Sequence, residues 1–137
     1  MTTAFFTVVR YTELVESGNM EPAFEYLGDA VIYNTWLGVV EGKENVINFL
    51  RDNIRFLYYN KSMNDWKQVQ HSLDPGLSLI NGRPFSDAGY DSQGFAMFER
   101  EGKLSGYTGF TLSRESIRET VVVKGNKIML VSLSKRM

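Results

Sequence analysis

The chain has 137 residues, 43% hydrophobic and 23% charged, which is the balance of one globular domain with one core. Its net charge of −1, with basic and acidic residues intermingled, argues against a nucleic-acid partner, and the lack of cysteine excludes disulfides and thiolate chemistry. Because no apolar run reaches the ~20 residues of a membrane span and the first residues lack a basic leader pattern, we expect a soluble cytoplasmic protein without a membrane partner.

Three segments near the amino terminus carry apolar residues at helical spacing. Residues 4–17 and 43–60 each place them three and four positions apart, which predicts one buried stripe on each helix. Residues 21–27 predict a shorter helix, with Pro22 in its first turn. Between the second and third helices, residues 30–42 are rich in strand formers with glycines at the turns, which predicts a short hairpin.

The remainder of the chain favours strands. Strand-like runs occupy residues 66–73, 93–99, 105–112, 117–124 and 128–134, and we expect hairpin turns at Glu101-Gly102 and Gly125-Asn126. Residues 74–91 are rich in turn formers and are expected to form a short strand followed by a long loop over a pocket mouth, in which Asp87 and Asp91 are candidate lid acids or ordinary turn residues. Helices followed by an antiparallel meander predict an α+β fold, with helices on one face of a curved sheet.

Three segments in this order resemble the nuclear transport factor 2-like superfamily. They are VVRYTELVESGNMEPAFEYLGDAVIY, VVEGKENVINFLRDN and RETVVVKGNKIMLV, and together they cover roughly half of the chain. The resemblance implies one domain over residues 1–137, in which three amino-terminal helices pack on a strongly curved antiparallel or mixed sheet that forms a cone with an internal cavity. It also implies a homodimer. Because the superfamily includes isomerases, polyketide cyclases, dehydratases, hydrolases and binding modules, the fold alone does not choose a function.

The resemblance also implies two site residues. Tyr11 falls where ketosteroid isomerases keep an oxyanion-hole tyrosine, and Glu119 falls where they keep a second oxyanion-hole acid. At the position of that family's carboxylate base this chain has Asn34-Thr35, so the resemblance does not extend to the base. The paired histidines of scytalone dehydratases cannot be formed from the single histidine of this sequence.

Strand alternation gives an independent reason to select Glu119. It shares a face with Ile117, Val121 and Val123, so the pattern places a carboxyl group on an apolar face. Burial there would raise its pKa and make it a general acid or base near neutral pH. The alternative is a structural glutamate paired with a nearby arginine or lysine.

His71 and Tyr11 are the other candidate catalytic residues. His71 shares a face with Val69 and Leu73 and could act with Glu119 as a second acid-base group, or it could be an ordinary partly buried histidine. Tyr11 lies on the helix face of Val8, so its buried hydroxyl needs a partner, which is either a substrate oxygen or a neighbouring strand.

Aromatic side chains predict an apolar binding site. The candidate substrate-binding residues are Tyr33, Trp36, Trp66, Phe95, Tyr107 and Phe110, which could equally be core residues. No metal-ligand spacing and no phosphate-binding glycine loop occurs, so we expect neither a metal nor a cofactor.

These observations support one leading hypothesis and two alternatives. The first is a cofactor-independent enzyme of isomerase, cyclase, dehydratase or hydrolase type that uses acid-base groups on a small apolar or aromatic molecule, with secondary metabolism as the expected setting. The second is a non-catalytic module for apolar-ligand binding or dimerisation. The third is a structural homodimer whose cone is filled.

Overall fold

The computed structural model of the chain describes residues 3–58, 61–69, 79–80, 83–84, 95–108 and 111–136. The helices and strands within these ranges follow one another along the chain as α1 (Thr3–Glu16), α2 (Met20–Phe24), β1 (Leu27–Thr35), β2 (Gly38–Glu41), α3 (Lys43–Leu57), β3 (Lys61–Met63), β4 (Lys67–Val69), β5 (Leu79–Ile80), β6 (Arg83–Pro84), β7 (Phe95–Thr108), β8 (Thr111–Lys124) and β9 (Lys127–Arg136).

Helices lie within the three predicted segments, although α2 ends at Phe24 and Leu27 begins β1 instead. The two longer helices, α1 and α3, have the expected buried stripe. Helix α1 buries Val8, Tyr11 and Val15 completely. It ends at Glu16 and is followed by Gly18, whose φ of 84° lies in the left-handed region that terminates helices. Helix α3 buries Val46, Leu50 and Leu57 along one face. These faces pack on the sheet, α1 against β8 and α3 against β1.

The strands form one seven-stranded mixed sheet and a separate two-stranded one. The order in the large sheet is β2-β1-β9-β8-β7-β3, and β4 pairs with β7 beside β3. Strand β1 pairs with β9 in parallel, whereas the β7–β8 and β8–β9 pairs are antiparallel. In the described part of the chain, the large sheet is open, with β2 at one edge and β3 and β4 at the other. A cone with an internal cavity is therefore not confirmed.

One of the two predicted hairpin turns is confirmed and the other is wrong. Gly125 and Asn126 join β8 to β9, and Gly125 has a φ of 64°. Glu101 and Gly102 lie inside β7 instead, because this strand continues without a break from Phe95 to Thr108. Position 102 requires a glycine because of a close approach of β3 and not because of a turn. A Cβ there would stand 2.7 Å from Met63 Cα and closer still to the Ser62 carbonyl oxygen of β3.

Both faces of the sheet are buried at its centre. The helix-facing side belongs to the main core, with Phe98, Val121 and Leu133. On the other side, Met97, Val122 and Leu130 form a second cluster. Thr120 and Ser132, also on that side, are each only 1% exposed. The centre of the sheet is thus covered on both faces, and the expected homodimer stays a prediction.

Several sequence-based expectations lie outside the described residues. They are His71 and its catalytic role, the side chains of Tyr107 and Phe110, and the loop with Asp87 and Asp91. Within the described ranges, no helix has the length and apolarity needed to cross a membrane.

Candidate functional site

An ion pair lies on the helix-facing side of the sheet, at the centre of two long strands. Arg100 of β7 and Glu119 of β8 are directly opposite in register. Arg100 Nε donates to Glu119 Oε1 at 2.7 Å, and its Nη2 donates to Glu16 of α1. The Arg100 guanidinium also stacks on the Trp66 ring, 4.4 Å from its centroid. Glu119 is fully buried, so its carboxylate lies within the core and is stabilised there by the ion pair with Arg100.

A second cation, Lys61, joins this pair. Its strand β3 is paired with β7, and the Lys61 side chain is only 1% exposed. Its Nζ lies 3.6 Å from Glu119 Oε1, too far for a hydrogen bond, and 4.3 Å from the centroid of the Tyr58 ring. Among the described residues, Lys61 Nζ and Glu119 Oε2 are both buried without a hydrogen-bond partner.

These charges reverse the expected behaviour of Glu119. Burial raises the pKa of its carboxyl group, as the sequence predicted, but the positive charges of Lys61 and Arg100 outweigh that effect and lower the pKa below 4.5. The predicted raised pKa is therefore wrong, and the structure shows the alternative environment, a buried glutamate paired with an arginine and a lysine. Glu119 is ionised at neutral pH and cannot serve there as a proton donor.

Lys61 shows the opposite balance. Burial lowers the pKa of its ammonium group below 10.5, and the attraction of Glu119 offsets that effect only in part. Arg100, also positive, acts in the same direction as burial. Of these two neighbouring groups, the carboxylate is therefore stabilised in its charged form and the amine is destabilised in its charged form.

Three buried tyrosines form a chain of hydroxyl groups beside the charges. The Tyr11 hydroxyl is hydrogen-bonded to that of Tyr33, which is bonded in turn to that of Tyr58 at 2.7 Å. This confirms that Tyr11 is buried and that its hydroxyl reaches a neighbouring strand, β1. Burial raises the pKa of all three hydroxyls, and Glu119 raises it further for Tyr11 and Tyr58. All three are therefore neutral hydrogen-bond donors at physiological pH.

Several polar groups of this cluster have no hydrogen-bond partner among the described residues. Three hydroxyls supply three hydrogens, but their two mutual bonds use only two, so one O–H hydrogen remains available within the described residues. The Lys61 ammonium and Glu119 Oε2 are unused as well. Buried polar atoms without partners are costly, and each such group in a native protein requires an explanation. A polar ligand or ordered water would satisfy them together.

The other predicted site residues are divided between the two faces of the sheet. Tyr33 belongs to the hydroxyl chain, and Trp36 and Trp66 pack against the main core. Phe95 does not join them, because it packs against the second cluster on the opposite face. Asn34, at the expected position of a base, donates to Ser132 Oγ at 3.4 Å. Within the described residues, no group of His, Cys, Asp or Glu side chains could hold a metal ion.

A pocket adjoins the charge cluster at Arg100. Its volume is about 200 Å³, and Arg100 lines it together with Glu99, Glu101 and residues of the 64–69 segment. Its lining includes side chains of both signs of charge. Glu99 and Glu101 bond to Thr120 and Arg118, which lie on the opposite face of the sheet from Glu119, so this part of the pocket lining lies across the sheet from the buried cluster.

The sequence analysis missed Lys61, Arg100 and Tyr58, although each had a signal. Arg100 lies two positions after Phe98, so alternation places it on the same face of β7. Tyr58 follows Ile54 by four positions and continues the apolar stripe of α3. Lys61 had a weaker signal, because a three-residue strand carries little alternation of its own.

Comparisons with known proteins bear on the fold alone. No protein-family model matches the sequence, and no curated protein matches it. The chain is similar to the solved structure of a ketosteroid isomerase-like protein from Erwinia carotovora atroseptica, with 9% identity, a TM-score of 0.67 and coverage of 98% of this chain and 95% of that one. It is also similar to an NTF2-like protein of unknown function from Cytophaga hutchinsonii, with 12% identity, a TM-score of 0.56 and coverage of 97% and 99%.

A third similar structure is that of a proposed polyketide cyclase from Xanthomonas campestris pv. campestris. Its identity is 14%, its TM-score is 0.59, and the match covers 98% of this chain and 90% of that one. At identities this low, the similarity shows that the backbone arrangement is shared, and it carries no information about the chemistry. Together with the order of the helices and the mixed sheet, these similarities establish that the chain has the nuclear transport factor 2-like fold.

Proposed function

We propose that the chain is a cofactor-independent enzyme of isomerase or cyclase type, which transfers a proton within a small apolar or aromatic substrate. The observation that carries this proposal is the buried cluster in which Glu119 Oε2, Lys61 Nζ and one tyrosine hydrogen have no partner in the described residues. The similarity of fold to isomerase-like and cyclase-like proteins is compatible with it.

Glu119 is the proposed base in this reaction. Its Oε1 is bound to Arg100, whereas Oε2 has no hydrogen bond among the described residues and can accept a proton from a substrate. Because the carboxylate is ionised at neutral pH, it needs no prior deprotonation. A carboxylate with a low pKa is a weak base, so the substrate must lose its proton from a carbon activated by a neighbouring carbonyl.

The hydroxyl chain is the proposed acid partner. When a proton leaves the carbon next to a carbonyl group, negative charge develops on the carbonyl oxygen. A neutral tyrosine in a buried site can donate a hydrogen bond to that oxygen, and fixed donors of this kind contribute about 100-fold or more to rate. Tyr11 is the end of the chain that lies on α1, and the raised pKa of its hydroxyl keeps it protonated.

The second candidate function is a non-catalytic module that binds an apolar ligand. The observation in its favour is the pairing of Glu119 with two cations, an arrangement that also occurs in purely structural ion clusters. Such a module would bind ligands at the same hydroxyl chain but would not accelerate proton transfer. The predicted role of His71 as a second acid-base group stays a prediction.

The two candidates are distinguished by proton exchange. The purified chain is incubated in D₂O with a panel of cyclic ketones and enones, and loss of the α-hydrogen signals is followed by NMR. The enzyme is expected to accelerate exchange for at least one of them, and Tyr11→Phe is expected to slow that exchange by about 100-fold, because the oxyanion loses a donor. Tyr26→Phe is the control, since Tyr26 is partly buried against the core but outside the hydroxyl chain.

Equal loss in both tyrosine variants would contradict the assigned role of Tyr11. If no ketone exchanges faster than in buffer, while 2-naphthol binds to the wild type and more weakly to Tyr11→Phe, the binding module is the correct function.

A further inference from the structure

The buried lysine has no role in the proton transfer described above. Lys61 is not needed to ionise Glu119, since Arg100 already donates to the same carboxylate oxygen at 2.7 Å. Nor is it an ordinary surface lysine, because its side chain is 1% exposed and its Nζ makes no hydrogen bond in the described residues. We infer that Lys61 is a nucleophilic amine that forms an iminium with the carbonyl group of an aldehyde or ketone.

The surroundings of Nζ suit a covalent bond better than a structural ion pair. A structural lysine directs its three N–H groups at acceptors, but this one stands 3.6 Å from the nearest carboxylate oxygen and over the Tyr58 ring. Desolvation and the nearby positive charge of Arg100 favour the neutral amine, which is the form that attacks a carbonyl. Glu16, the other acid of the cluster, is bound by Arg100.

The proposed step is balanced without any additional reagent. The amine lone pair forms a bond to the carbonyl carbon while the π electrons of the C=O bond move to oxygen. That oxygen then leaves as water, and it takes with it the two hydrogens that the lysine ammonium loses. The single positive charge stays on the nitrogen of the resulting iminium, so the charge of the cluster does not change.

The same neighbours would stabilise the product. Glu119 lies close enough to compensate the positive iminium, and the face of the Tyr58 ring attracts a cation at 4.3 Å. An iminium withdraws electrons more strongly than the carbonyl it replaces, so the adjacent carbon loses a proton more readily to a weak base such as Glu119. The inference rests on the proposed function only for this use of the adduct, since formation of the adduct requires Lys61 alone.

Reductive trapping tests the inference. The full chain is incubated near neutral pH with benzaldehyde and sodium cyanoborohydride, which reduces an iminium to a stable secondary amine, and benzyl groups are located by peptide mass mapping. Lys61 is expected to be labelled at least about tenfold faster than Lys67, an exposed lysine on the neighbouring strand β4. Lys61→Arg, which keeps the charge, should remove the fast labelling, whereas Lys67→Arg should not.

The outcomes separate this inference from the proposed function. Labelling of Lys61 no faster than Lys67, or fast labelling that persists in Lys61→Arg, overturns the inference. If α-hydrogen exchange of ketones proceeds at the wild-type rate in Lys61→Arg, the adduct has no part in the proton transfer and the deepened mechanism fails, while the proposed function stands. If Lys61 is labelled fast but the protein does not accelerate α-hydrogen exchange, the assignment of Lys61 as a nucleophilic amine is supported and the proposed proton-transfer function is overturned.

Discussion

At the scale of single residues, the ionisation of Glu119 depends on partners from other strands and not on its own burial. Burial by itself favours the neutral acid, yet Lys61 and Arg100 reverse the direction of the pKa change. A fully buried carboxylate between two cations is therefore also a structural element. Its replacement affects stability as well as any reaction, so activity measurements on Glu119 variants need a parallel measurement of unfolding.

We expect Glu119→Gln to lower the free energy of unfolding by about 3 kcal/mol at neutral pH, because it leaves the buried Lys61 charge without its anion and leaves Arg100 paired with Glu16 alone. The ordinary pKa of this carboxyl group is 4.5, and its pKa in the folded protein is lower. Its contribution to the free energy of unfolding is therefore fully present above about pH 4.5 and is lost as the pH falls through the folded-state pKa. Urea unfolding of wild type and variant across this range should show the difference shrinking as the pH falls below about 4.

Lys61→Met is the matched control for that experiment. It removes a buried ammonium without hydrogen bonds and leaves Glu119 paired with Arg100, so the stability at neutral pH should be unchanged or higher. Wild-type stability in Glu119→Gln at neutral pH would show that the ion cluster is weaker than its geometry indicates.

At the scale of secondary structure, β3 is short but determines where Lys61 lies. It contributes three residues, paired with β7 at Lys61–Leu104, Ser62–Lys103 and Met63–Gly102. The close approach of Met63 and Ser62 to Gly102 leaves no space for a side chain on β7. The position of the lysine is thus linked to a glycine on the adjacent strand.

Gly102→Ala should accordingly displace β3 and with it Lys61. Two of the three obstructing atoms, the Ser62 carbonyl oxygen and Met63 Cα, belong to the backbone and cannot rotate away, so we expect a loss of stability of about 1–3 kcal/mol and slower reductive labelling of Lys61. Lys103→Ala, at the exposed neighbouring position, controls for a change in β7 and should have little effect on either quantity. Unchanged labelling in Gly102→Ala would show that β3 tolerates the displacement.

At the scale of the whole molecule, the sequence predicted most of the fold because its signals are local. The apolar stripes of α1 and α3 and the Gly125-Asn126 turn are each contained in a few neighbouring residues. Glu101-Gly102 was misread for the same reason: a turn-like pair inside a long strand can be distinguished only by the approach of β3, which is distant in sequence. The parallel pairing of β1 with β9 likewise joins residues that are far apart in the sequence, so local patterns could not predict it.

The candidate site was predictable only in part. Alternation and resemblance identified Tyr11 and Glu119, but neither could show what surrounds them. The cluster also takes side chains from β1, β3, β7 and the end of α3, and their convergence depends on strand register. The direction of the pKa change of Glu119 follows from that convergence, so it could not be obtained from burial of one position.

The most direct test of the whole account is a crystal structure of the chain with phenol, a small aromatic molecule whose oxygen resembles an enolate. We expect the phenol oxygen to lie within about 3.2 Å of a hydroxyl of the Tyr11–Tyr33–Tyr58 chain and beside Lys61 Nζ, satisfying atoms that have no partner in the described residues. The account is contradicted if the cluster stays closed to phenol, with Lys61 Nζ and Glu119 Oε2 bonded only to protein groups or ordered water.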